Sequence, residues 1–345
     1  MRVPGLGKLQ KITDKFKHRL TSGGIILMYH RIAEPSNDPC RVCVSPHHFS
    51  EQLKVLKKHC RLLPLHQIVE AAQAGESLER TVGITFDDGY ADNLFTAKPL
   101  LEEHNVPATM FISTGNWQHN QEFWWDTLDR IFLQPGNLPE ALCIEIAGNF
   151  YRWSLGDVVQ YSEADFERDR RWTIYTPSKA DPTIRHSIYR SLSRLFFPLP
   201  EQERQSLLTQ LVNWAGINST GRLTHRSLSP EEVRQLGKGN LIDIGAHTVH
   251  HPQLATLSTT LQQQEIQQSK VDLETLLGRS INSFAYPYGN YNTQTVDLVR
   301  TTNFAYACST NANKVGHKSD CYQLPRVEVQ NCGGEAFARW LVQWL

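Results

Sequence analysis

The residues best suited to chemistry stand in a few short clusters. Thr85-Phe86-Asp87-Asp88-Gly89 closes an apolar run with two adjacent acids and a glycine. Adjacent carboxylates repel, which raises the pKa of one unless a cation takes the other. A strand end splays neighbouring side chains apart, so one acid can ligate metal while the other faces a substrate. The competing reading is an N-cap pair for a helix beginning near Asp92, because aspartate is a favoured cap. Gly245-Ala246-His247-Thr248-Val249-His250-His251 follows a second apolar run. Histidines four apart can reach one ion, and neutral imidazole is a standard zinc and iron ligand. One carboxylate with two histidines is the facial set that keeps coordination positions open for water and substrate. Taken together, the two strand ends point to a metal site.

Weaker signals lie elsewhere. Ala285-Tyr286-Pro287-Tyr288-Gly289 ends another strand-like run. Its Pro287-Tyr288-Gly289 turn can aim a backbone N–H at a developing oxyanion, or serve as an ordinary βα turn. His30 ends Leu27-Met28-Tyr29-His30, where it is placed to act as a general acid near neutral pH; a buried, hydrogen-bonded histidine is the rival reading. Cys40-Arg41-Val42-Cys43 has metal-clip spacing without a second such pair, which leaves a metal or redox role against plain loop and core thiols.

The elements that must position these clusters alternate. Strand-like runs at 24–30, 81–87, 107–113, 241–246, 282–286 and 304–308 are separated by helical patterns near 46–59, 65–74, 91–104, 257–278 and 292–302, with a last one near 335–344. This rhythm predicts a parallel sheet with helical crossovers. Six or seven such units predict a closed or nearly closed α/β barrel, with an open doubly wound sheet as the alternative. The rhythm breaks between about Gly115 and Ser229, a stretch that holds Trp117, Trp124, Trp125, Trp153, Trp172 and Trp214. That length exceeds a loop in a compact barrel, and the segments 162–173 and 183–212 carry helical patterns. The chain therefore divides into a basic N-terminal helix (1–23), a first barrel part (24–115), a Trp-rich, mainly helical insertion (116–229), and a second barrel part with a C-terminal helix (230–345).

Composition narrows the function class. The 345 residues are 40% hydrophobic, and 35 basic residues balance 35 acidic ones. No basic excess is present to offset nucleic-acid phosphates. The longest apolar run, Ile25–Tyr29, is strand-sized and far short of the roughly 20 residues that span a bilayer. The first twenty residues carry Arg2, Lys8, Lys11, Lys15, Lys17 and Arg19 without an apolar core, unlike a secretory signal. Seven cysteines is an odd number, so we read them as reduced thiols of a cytoplasmic protein. Leu9, Ile12, Phe16 and Leu20 recur at helical spacing, which predicts an amphipathic helix over 5–20. It either packs on the domain or makes a peripheral contact at the inner membrane face.

In this order, TFDDG at 85–89, HTVHH at 247–251 and PYG at 287–289 resemble the polysaccharide deacetylases of the NodB-homology group, carbohydrate esterase family 4. The resemblance covers about 24–115 and 230–326. It implies a distorted (β/α) barrel of about seven strands and metal-dependent removal of acetyl groups from N-acetylated sugars. It further implies Asp87 as catalytic base, Asp88, His247 and His251 as metal ligands, and the Tyr288 backbone N–H as an oxyanion donor. Two departures from the pattern stand out. Most members have arginine where this chain has Ala285, and that arginine orients the base. Most also carry the acid histidine in a C-terminal leucine-rich motif, whereas His317 here sits in a polar loop.

Met28-Tyr29-His30 resembles circularly permuted members, such as the poly-N-acetylglucosamine deacetylases, whose acid histidine lies on the first strand. His30 then becomes the general acid, and Arg326 in Leu324-Pro325-Arg326-Val327 either replaces the missing arginine in space or is a surface strand residue. Trp124, Trp125 and Asp126 would line a sugar subsite, because aromatic faces stack on pyranose rings; a packed insertion core explains the tryptophans equally well. The implied cofactor is a divalent ion, zinc first, with iron, cobalt, manganese or nickel compatible with the same ligands. The implied partner is an N-acetylated glycan or glycan precursor. The rival functions are a metal amidohydrolase of the same fold acting on a small cyclic amide or ureide, and a catalytically silent glycan-binding barrel.

Overall fold

Short, apolar strands that are buried on both faces read as continuous hydrophobic runs, the habit of parallel sheets covered by helices. The computed structural model, which describes residues 23–115, 117 and 122–345, is built on seven of them. We label these β1 (Ile25–Tyr29), β2 (Thr81–Phe86), β3 (Ala108–Ile112), β4 (Ile242–Ala246), β5 (Ser283–Ala285), β6 (Tyr306–Cys308) and β7 (Val327–Glu328). All pair in parallel in the order β6-β5-β4-β3-β2-β1-β7. A two-residue strand, Arg61–Leu62, adds to the start of β2.

The sheet curls until its two edges share one segment. Leu324 bridges Cys308 in parallel, and its N–H donates to the Ala307 carbonyl at 2.8 Å. Two residues further on the Arg326 N–H donates to the Asn311 carbonyl at 3.0 Å, after which Val327 pairs with Leu27 of β1. The stretch from Leu324 to Val329 thus closes a distorted barrel of seven strands, the expected fold. β7 escapes the sequence pattern because two paired residues carry no period.

Helices wrap the outside. Pro46–His59 starts on a Ser45 cap, whose hydroxyl accepts the His48 N–H at 3.2 Å, and buries Phe49, Leu53 and Leu56 against the sheet. Thr259–Leu277 is likewise capped by Ser258 and ends at Gly278 with φ 65°. The pattern expected as one helix near 91–104 is a π-helical turn, Asn93–Ala97, running into Lys98–His104. No described helix is long and apolar enough to cross a membrane. The amphipathic pattern at 5–20 lies outside the described residues.

Between β3 and β4 the chain builds a second hydrophobic cluster from Leu128, Phe132, Leu192, Phe196 and Leu211. Its helices are Trp124–Phe132, Glu163–Asp169, Ile184–Phe196 and Glu201–Ala215. The helical pattern over 183–212 is two helices, broken where Pro198 and Pro200 remove backbone donors. A β-hairpin, Ala141–Ile146 with Asn149–Ser154, joins them. Leu142, Ile144 and Ile146 are buried while Cys143 and Glu145 are exposed, a period-two alternation. Inside this unit Arg222 reaches both Glu122 (2.5 Å) and Asp129 (2.7 Å), while Arg31 of the barrel, paired with Asp92 at 2.9 Å, donates to the unit's Thr224 carbonyl. All seven cysteines are free.

Candidate active site

In a parallel barrel, functional side chains gather where strands end. β2 delivers Asp87 and Asp88, β4 delivers His247, β1 leads into His30, and β5 into the Tyr286–Gly289 turn. Asp88, Thr248, His251 and Tyr288 all adopt positive φ (75°, 65°, 54° and 57°). Strained backbone of this kind persists where surrounding structure enforces it, commonly at functional sites.

Asp88, His247 and His251 converge, with one donor atom from each lying within 4.8 Å of the others. Asp88 Oδ1 is 3.2 Å from His251 Nε2 and 3.6 Å from His247 Nε2, and the two Nε2 atoms are 3.1 Å apart. The Nδ1 of His247 faces the Ala285 carbonyl at 2.8 Å. That acceptor holds the proton on Nδ1 and leaves the Nε2 lone pair facing the cluster. Burial opposes charge on Asp88, yet the two histidines facing it outweigh that and keep its carboxyl well below the usual range. Burial pushes His251 down, toward the neutral ligand form. Lone-pair donors crowded around one point, in a buried pocket, fit a cation. His250 turns away and pairs with Glu265 at 2.7 Å.

Asp87 is held apart from this cluster. Arg326 grips it with two bonds, Nη1 to Oδ1 at 2.6 Å and Nη2 to Oδ2 at 2.7 Å. Arg326 also donates to the Ser309 carbonyl (2.9 Å) and to Thr85 Oγ1 (3.1 Å). Burial alone would raise the Asp87 pKa, but Arg326, helped by His247 and His30, holds it below the ordinary carboxylate value. The guanidinium absent at Ala285 is thus supplied from the segment that closes the barrel.

A cavity of about 720 Å³ opens over these groups; His30, Asp87, Asp88, His247 and His251 border it. Half-buried His30 is fixed through its carbonyl, which accepts Asn93 Nδ2 at 2.8 Å. Trp124, Trp125 and Tyr288 form a side wall, and the insertion adds Tyr189, Arg194 and Phe197. Asp126 departs from expectation. It is absent from the cavity wall and instead accepts the Tyr90 hydroxyl at 2.7 Å. Successive helical residues point about 100° apart, so Trp124 and Trp125 face the cavity while Asp126 turns behind them. Pro287 is buried and shapes the turn without lining the cavity. Of the six insertion tryptophans, only this adjacent pair reaches the cavity; Trp214, for example, bonds the Ala141 carbonyl at 2.9 Å inside the insertion. Tyr90, which follows TFDDG directly, was not singled out from sequence, although its position beside the acids is a usable signal.

A curled parallel barrel with a buried Asp-His-His cluster and a separate, arginine-held carboxylate at its strand ends defines the class of site. The family model described as polysaccharide deacetylase matches residues 74–137 and 204–307. A poly-beta-1,6-N-acetyl-D-glucosamine N-deacetylase of Staphylococcus aureus is 30% identical over 115 residues, 30% of this chain and 39% of the relative. The chain spans about two fifths of the length of the curated relatives it matches. The Streptococcus pyogenes deacetylase PplD, solved with acetate, superposes with a TM-score of 0.56 at 18% identity, covering 92% of this chain and 97% of that one. IcaB from Ammonifex degensii gives 0.54 at 18% identity, covering 94% and 98%. At these identities the structural likeness is one of fold.

Proposed function

We propose that this chain is a metal-dependent N-deacetylase that hydrolyses the N-acetyl groups of an amino-sugar glycan or its precursor. The observation that carries the reading is the meeting of Asp88, His247 and His251 beside an Asp87 kept ionised by Arg326, at the floor of one cavity. The names of the related S. aureus enzyme and of IcaB support the substrate class.

Asp88, His247 and His251 would hold a divalent cation, zinc first among the candidates, which would supply Lewis acidity toward an acetyl carbonyl and water. Asp87 accepts the proton of the attacking water as the C–O bond forms. The Tyr288 N–H donates to the developing oxyanion. His30 protonates the leaving nitrogen as the C–N bond breaks, and the products are acetate and a free amine. Trp124 and Trp125 offer aromatic faces to the sugar.

The silent glycan-binding alternative drew its support from the missing arginine, and the Arg326–Asp87 pair removes that support. Acetate release from N-acetylglucosamine oligomers, measured with and without a chelator, tests the proposal. Release that stops on chelation and returns with metal is expected. Release indifferent to chelation removes the metal, and no release from any N-acetylated oligomer removes the substrate class.

A further inference from the structure

The two histidines of the cluster are held in different ways. His247 has the Ala285 carbonyl at 2.8 Å behind its ring. Metal-binding histidines ordinarily gain their orientation from such an acceptor on the distal nitrogen. The Nδ1 of His251, by contrast, is buried without a hydrogen-bond partner among the described residues. Its backbone is pinned by the N–H bond to Thr248 Oγ1 at 3.0 Å, but the terminal torsion of a histidine ring is intrinsically broad. What surrounds the ring is aromatic. Tyr288 lies 4.4 Å away at 76°, Trp125 5.2 Å at 63°, and Phe123 6.1 Å at 66°.

That aromatic wall is itself tethered. The Trp125 indole N–H donates to the Tyr90 hydroxyl at 2.8 Å, and that hydroxyl donates to Asp126 Oδ2 at 2.7 Å. Phe123 stacks flat on Trp125, with centroids 4.6 Å apart and planes 4° from parallel. Arg31 sits 4.4 Å over the Tyr90 ring. Tyr90 stands two residues after Asp88, so a single turn presents one ligand of the cluster and anchors the strut behind another.

We propose that Tyr90 and Trp125 are positioning residues that fix the His251 ring through shape, in place of the missing polar acceptor, and thereby set the metal affinity of the site. The inference rests on the metal-site reading above. It gives the start of the insertion a part in completing the cluster, in addition to bordering the cavity.

The test uses the full chain and its Tyr90→Phe and Trp125→Phe variants, with zinc or cobalt affinity measured by chelator competition. Outer-shell partners of metal ligands typically change affinity about 10–100-fold, and a loss in that range is expected in both variants. Turnover and KM of Tyr90→Phe should return toward the parent values once metal saturates. The visible spectrum of the cobalt form should shift, reporting altered ligand geometry. Phe123→Leu keeps both hydrogen bonds and removes the ring that stacks on Trp125 and faces His251, so it supplies a second readout should either tether variant fail to fold. Affinities within about twofold of the parent in all three would overturn the proposal. So would a rise in KM with unchanged metal affinity for Trp125→Phe, which would leave that residue a sugar platform alone. Failure of the parent chain to retain any divalent ion would instead sink the metal reading itself.

Discussion

Arg326 and Asp87 lie 239 residues apart in the chain, yet the guanidinium closes on both carboxylate oxygens at 2.6 and 2.7 Å. Both groups are buried, so the pairing decides whether a carboxylate can exist at that point. Arg326 is further locked by Ser309 and Thr85, and the pair joins the barrel's closing segment to its β2 end.

Removing Arg326 should therefore act first on Asp87. Arg326→Ala leaves a buried carboxylate unpaired, a loss of about 3–5 kcal/mol for pairs of this type. Asp87 now has a pKa below its unfolded value, so its stabilising contribution is present above about pH 3.9 and lost as pH falls through the folded pKa. In the variant that pKa rises. The acidic limb of the kcat/KM profile should move to higher pH, and a profile with an unmoved limb would dissociate Arg326 from the base.

Asp87→Asn is nearly isosteric and leaves Asp88, His247 and His251 in place. Metal content, read by atomic emission, should match the parent, while deacetylation falls by the roughly 10²–10⁴-fold typical of losing a general base. Full activity in this variant would remove Asp87 from the mechanism.

His30→Gln tests the leaving-group side. His30 borders the cavity, and its carbonyl is tied to Asn93 at 2.8 Å, so the backbone should stay put. Turnover on an N-acetylated sugar should drop about 10²–10⁴-fold. Substrates with activated leaving groups, which need no proton, should lose far less; equal losses on both would argue that His30 only shapes the cavity.

Asp126 sets up a pH effect of opposite sign to Asp87. Burial pushes its carboxyl up to about 7. The folded protein then holds a proton that the unfolded chain has already lost, so stability declines as pH rises from about 4 toward 7. Each unit of displacement corresponds to about 1.4 kcal/mol. Asp126→Asn should flatten that decline and raise the relative denaturant midpoint near pH 8; a parallel decline in the variant would locate the titrating group elsewhere.

Gly245 shows how closely β4 is packed two residues before His247. A Cβ there would lie 2.5 Å from Phe111 Cδ1 and 2.5 Å from Ser283 Oγ, side chains of the flanking strands. Gly245→Ala should lower unfolding stability by about 1–3 kcal/mol, the usual result of overpacking a tight core, as read from denaturant melts.

Much of the site was legible before any coordinates. Apolar runs ending in Asp87-Asp88 and His247 are local statements, because a strand buried on both faces must be continuously hydrophobic and its polar residues fall at its ends. The i, i+4 spacing of His247 and His251 is local too. The Ala141–Ile146 hairpin was equally local, with buried Leu142, Ile144 and Ile146 alternating with exposed residues, but the helical patterns around it masked the shorter period.

Composition and local spacing determined the strand ends and the alternating plan of the barrel, since burial writes its period into neighbouring residues. Only the tertiary structure decided that Arg326 faces Asp87, that Ala285 offers its carbonyl to His247, that Asp126 turns under Tyr90, and that Phe123, Trp125 and Tyr288 box His251. Those partners come from distant segments. Their meeting depends on how far the sheet curls and where the chain between Leu324 and Val329 closes it, and no residue's immediate neighbours record that geometry.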